Sequence, residues 1–80
     1  MRLRGELREA ERVMLRDLAR TPSYAYEIGR RTGQLPAAAR LMLKRLEGRG
    51  YINGTWHPGA GSQPRRVYAL TAKGKRAIKA

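Results

Sequence analysis

Eighty residues can build one compact domain and leave no room for two, which excludes a large enzyme fold. Lysine and arginine total 18 against 6 acidic residues, a formal net charge of +12; such an excess is relieved by a polyanion, so nucleic acid is the leading partner and an anionic membrane surface the rival. Cysteine is absent, which removes disulfides, thiolate zinc sites and cysteine nucleophiles together and fits an intracellular chain.

The start, Met1-Arg2-Leu3-Arg4-Gly5-Glu6, is charged and leads into no apolar stretch of the length that a signal peptide or membrane span needs. A soluble, cytoplasmic chain is expected, nucleoid-associated if prokaryotic. From Glu6 to Arg20, Leu7, Ala10, Met14 and Leu18, flanked by Val13 and Leu15, recur at spacings of three and four, as one face of an amphipathic helix requires. Its other face carries Arg4, Arg8, Arg12, Arg16 and Arg20, relieved by Glu9, Glu11 and Asp17. Thr21-Pro22-Ser23 ends this helix, and Ser23 is expected to cap the next, which runs roughly from Tyr24 to Arg31 with Tyr24, Ala25 and Ile28 as its apolar side. Thr32-Gly33 closes it with a residue able to adopt positive φ.

Pro36 falls where proline is best tolerated, the first turn, and predicts a third helix extending to about Gly48. Ala39, Met42, Leu43 and Leu46 fit its buried face. That leaves Ala37, Ala38, Arg40, Leu41, Lys44 and Arg45 wholly or partly outward, with Glu47 the only acid among them. Tyr51 to Trp56 and Arg65 to Leu70 are rich in β-branched and aromatic residues and predict a hairpin whose long loop runs from His57 to Pro64. Thr71 caps a short last helix over Ala72 to Lys79.

Taken in order, these elements predict an α+β fold, a winged helix-turn-helix over residues 1–80: three helices, a two-stranded β-hairpin wing and a short C-terminal helix. The third helix would enter the major groove of DNA and the hairpin would reach an adjacent groove or the backbone. Four runs carry a resemblance to a known family: Tyr26-Glu27-Ile28; Pro36; Leu43-Lys44-Arg45-Leu46-Glu47 followed by Gly50-Tyr51-Ile52; and Pro64-Arg65-Arg66-Val67-Tyr68-Ala69-Leu70-Thr71-Ala72-Lys73-Gly74. Over about residues 10 to 78 the chain resembles the PadR-like winged-helix transcriptional regulators. The MarR-like regulators share the Leu-Thr-x-x-Gly ending. Two departures stand out. The family carries a serine or threonine, a leucine and a tyrosine after the helix-three proline, where this chain has Ala37, Ala38, Ala39 and Arg40. Family members also continue into C-terminal helices for dimerisation and sometimes ligand binding, whereas this sequence stops at Ala80; a regulator without a ligand-sensing domain is expected.

On this reading Arg40, Lys44 and Arg45 reach phosphates or guanine edges, against the plainer reading of a solvated helix face, and Ala37, Ala38 and Leu41 lie on the same face. Ser62, Gln63, Arg65 and Arg66 lie at the wing, where an arginine can enter a minor groove or clamp phosphate; strand neighbours point to opposite faces, so one of Arg65 and Arg66 is expected to face DNA. His57 is the only histidine and has no second ligand nearby, so neither metal nor cofactor is expected. Tyr26, Tyr51, Trp56 and Tyr68 are expected to pack, in a chain without phenylalanine, rather than to stack on bases. One histidine, two serines and scattered carboxylates give catalysis no foothold. Three functions remain: a sequence-directed regulator bound to double-stranded DNA; an architectural accessory factor such as a phage or mobile-element excisionase; and a winged helix used for protein or RNA docking. Arginines facing arginines across any two-fold axis on the first helix predict a free monomer that pairs only on DNA.

Overall fold

The three-and-four spacing near the start folds as α1 (Glu9–Arg20) in the computed structural model, which describes residues 7–59 and 61–79. Met14, Leu15 and Leu18 are buried along it, while Val13 turns out to solvent. Glu11 opens the helix by accepting the Arg8 N–H at 2.7 Å, satisfying a donor that the first turn leaves unpaired. Beyond Thr21 the chain makes a two-residue strand, β1 (Ser23–Tyr24), before α2 (Ala25–Thr32) begins. Ser23 is therefore buried in a strand and Tyr24 holds the cap position, a correction to the expected serine cap. Gly33 ends α2 in the left-handed region at φ 75°, as expected.

Pro36 is the first residue of α3 (Pro36–Gly48), whose Ala39, Leu43 and Leu46 are fully buried. These three meet Met14, Leu15 and Leu18 of α1, Ile28 of α2 and Ile52 in one core. Each large apolar side chain withdrawn from water there stabilises the fold by about 1.5–3 kcal/mol, and Tyr51, Tyr68 and Leu70 cover the core's edge.

The chain then forms β2 (Ile52–Gly59) and β3 (Ser62–Leu70), and α4 (Ala72–Ala77) follows, capped by Thr71 Oγ1 accepting the Gly74 N–H at 3.1 Å. The antiparallel sheet has the order β1-β3-β2, so the expected two-stranded wing gains a third, short strand at its base. Its ladder runs from Ile52↔Leu70 through His57↔Arg65 to Gly59↔Ser62. The expected loop from His57 to Pro64 is thus mostly strand. Between the last two pairs Pro58 stands against both Gln63 and Pro64, a bulge that accommodates prolines unable to donate to the ladder.

Packing corrects two aromatic expectations as well. Tyr51 and Tyr68 pack against the core, but Tyr26 is 58% exposed and Trp56 66% exposed.

Candidate nucleic-acid interface

The outer face of α3 presents Ala37, Ala38, Arg40, Leu41, Lys44 and Arg45, all exposed. Among the described residues no carboxylate pairs with Arg40, Lys44 or Arg45, because every acid is committed elsewhere. Glu9 lies 3.7 Å from Arg16, but Asp17 and Glu11, expected to relieve the arginine stripe of α1, leave it: Asp17 binds Arg31 of α2 at 2.9 Å and Glu11 binds Arg49 at 3.3 Å. Glu27 binds Arg30 at 2.9 Å, and that hydrogen bond holds its carboxyl below the ordinary value. The ion pairs between elements thus tie the scaffold together and, among the described residues, leave the outer face of α3 without a carboxylate.

The wing's neighbouring arginines differ. Arg65 is exposed, and its guanidinium lies 4.4 Å from the centre of the Tyr24 ring. Arg66 is half-buried and donates to Glu47 Oε2 at 2.6 Å, which raises its pKa above the ordinary guanidinium value. The same Glu47 oxygen accepts the Gly54 N–H at 3.2 Å, so one carboxylate near the end of α3 holds both strands of the wing. Gly54 makes room for this arrangement: a Cβ there would stand 2.5 Å from Arg66 Nε.

Between the start of α2, the outer face of α3 and the wing lies an open cleft of about 490 Å³ lined by Tyr24, Tyr26, Arg40, Trp56, Gln63, Arg65, Arg66 and Tyr68. The fold thereby brings Arg40, Gln63, Arg65 and Arg66 of the expected site together. Lys44 and Arg45 lie further along α3. Ser62 pairs with Gly59 at the closing end of the hairpin, and its side chain lies outside the described residues. Sequence reasoning missed Glu47 as the wing's anchor and Tyr26 and Trp56 as exposed rings. Glycine inside a strand two residues before Trp56 is the one local signal of a close approach there.

Such a surface can bind phosphate through arginine and lysine and can read base edges through Arg40 and Gln63. No group of three or more metal-ligating side chains occurs among the described residues, and none of their helices is long and apolar enough to cross a membrane.

The model of the transcriptional regulator PadR-like family matches residues 14–80. The chain belongs to this family. Its fold is similar to that of Bacillus subtilis PadR, crystallised with operator DNA, at TM-score 0.80 and 19% identity over 89% of this chain and 45% of that one. It is also similar to a PadR family transcription regulator from Clostridium difficile, at TM-score 0.78 and 23% identity over 88% of this chain and 79% of that one. A zinc-responsive MarR family member, Lactococcus lactis ZitR, gives TM-score 0.81 and 22% identity over 96% of this chain and 52% of that one. The chain therefore spans about half the length of the PadR and ZitR chains. No curated protein matches it. These likenesses carry the winged-helix fold, and the family match places the chain in the PadR-like family.

Proposed function

We propose that this PadR-like chain binds double-stranded DNA in a sequence-directed manner, with α3 in the major groove and the wing on the neighbouring minor groove or backbone. The observation that carries this reading is the outer face of α3, where Arg40, Lys44 and Arg45 stand exposed with no carboxylate paired to them among the described residues, continuous through the cleft with Arg65 and Gln63 of the wing. The operator DNA bound by the Bacillus subtilis relative supports the same partner. In this arrangement Lys44, Arg45 and Arg65 engage phosphates and Arg40 reads a base edge, with Ala37, Ala38 and Leu41 allowing close approach to the groove floor and to thymine methyl groups. Gln63 and the backbone near Ser62 follow the minor groove. Arg66 acts through Glu47, fixing the wing's angle to α3.

Selection of bound duplexes from a random library tests this reading, followed by titration of the recovered and a scrambled duplex with single variants. Lys44→Ala and Arg65→Ala should weaken binding to both duplexes, and Arg40→Ala should cost about 1–3 kcal/mol on the recovered duplex while narrowing its advantage over the scrambled one. Recovery of no enriched sequence would refute a sequence-directed role and favour the architectural alternative. We further propose that the chain is a monomer when free and pairs only on DNA.

A further inference from the structure

Trp56 is the chain's only tryptophan, and it is 66% exposed. It is not among the side chains packed against the core. Arg66 stands directly opposite it in the ladder, and the guanidinium lies 5.7 Å from the centre of the indole. Arg66 is in turn held at 2.6 Å by Glu47 of α3, in the space that Gly54 leaves open. A chain of contacts from the end of α3 thus leads to a large flat ring facing water, on the wall of the cleft that Arg40 and Tyr26 share. An exposed aromatic surface set among arginines matches the deoxyribose faces and thymine methyl groups of a duplex, which are apolar and lie beside a row of phosphates.

We propose that Trp56 is a DNA-contacting residue of the wing, its indole packing on the deoxyribose of the bound duplex beside the groove that α3 enters, with Glu47 and Arg66 as its positioning residues. This rests on the DNA-binding reading above, and it adds a residue to the wing's contacts that no arginine or glutamine replaces.

Because the chain has a single tryptophan, its emission reports this position in the unaltered protein. The whole chain is titrated with an end-labelled duplex of the selected sequence; anisotropy follows binding, and acrylamide quenching of the indole is measured in the free protein and at saturation. The quenching constant should fall severalfold in the complex. Trp56→Ala should bind about tenfold more weakly with its far-UV circular dichroism and Tm held, and Trp56→Phe should recover most of that loss. Glu47→Gln should restore part of the quenching in the complex, and combined with Trp56→Ala it should add less than its own separate effect, the signature of a residue acting through the indole. Saturation of the duplex with the indole as quenchable as in free protein would overturn the contact while leaving DNA binding intact. So would Trp56→Ala binding within about twofold of the parent. An unmoved duplex anisotropy would overturn the DNA-binding reading itself and the contact with it.

Discussion

Arg65 and Arg66 carry the same side chain in opposite surroundings. Strand alternation in the sequence is enough to say that one of them faces away from the other. Which one is free depends on Glu47, nineteen positions before Arg66, and on the missing side chain at Gly54; only the folded chain brings those three together. The consequence can be tested at Gly54. Gly54→Ala sets a methyl group against Arg66 Nε and its guanidinium carbon, where a Cβ would lie 2.5 Å and 2.9 Å away. These two atoms lie near the end of a flexible side chain, and Arg66 Cγ, at 3.0 Å, needs to give only slightly, so the guanidinium can swing aside and the stability cost should stay within about 1 kcal/mol by thermal denaturation. Released from Glu47, however, the wing should lose its fixed angle to α3. Binding to the selected duplex should weaken more than stability does, whereas a loss of stability above about 3 kcal/mol would mean that Arg66 cannot move.

The contrast at the scale of elements is Gly29, where α2 crosses α3. A Cβ there would lie 2.8 Å from the Gln34 carbonyl oxygen and 3.2 Å from the Ala39 methyl, neither of which can rotate away. That same turn is closed by the Gln34 N–H donating to the Gly29 carbonyl at 2.7 Å. Gly29→Ala should therefore push the two helices apart and cost about 1–3 kcal/mol, read as a fall in Tm of about 4–8 °C per kcal/mol. The helices themselves were legible, because their apolar spacing, Pro36 and Gly33 are local signals that tertiary packing only reinforces. The wing was legible as a hairpin but not in its length. Pro58, Gly59, Gly61 and Pro64 read as loop, yet the ladder absorbs both prolines in one bulge and continues to Gly59↔Ser62. The strand β1 was hidden for a different reason: two residues carry no periodicity, and Ser23 and Tyr24 become a strand only because Tyr68 and Val67 lie beside them. Tyr26 and Trp56 are expected inside because a chain without phenylalanine has few other rings to fill its core. The core is instead closed by leucine, methionine and isoleucine, leaving both rings outside.

Across the whole molecule the net charge of +12 is unevenly placed. The described acids are spent on arginines of α1, α2, Arg49 and Arg66, so the α3 face and the outer wing keep their full positive charge. If that surface displaces counterions from about four to six phosphates, the logarithm of affinity should fall against the logarithm of salt with a slope of roughly −4 to −5. A slope shallower than about −2 would mean that the charge serves another purpose. The same charge bears on assembly. A two-fold pairing through α1 would have to bury its outward side, where Arg8, Arg16 and Arg20 are exposed and Arg12 is turned to the Ala77 carbonyl at 3.2 Å. The exposed arginines would face the same arginines of the copy, and of these only the Arg16 guanidinium has, among the described residues, a carboxylate within salt-bridge distance, Glu9 at 3.7 Å. The apolar stripe of α1 cannot compensate, because Met14, Leu15 and Leu18 already belong to the core. Sedimentation equilibrium of this 80-residue chain without DNA, at moderate salt, should therefore give the mass of one chain, and two chains should appear only on a duplex that carries two half-sites, whose phosphates neutralise the facing arginines. A stable dimer of the free chain at micromolar concentration would show that these arginines do not oppose one another, and would move the two-fold axis to a surface away from α1.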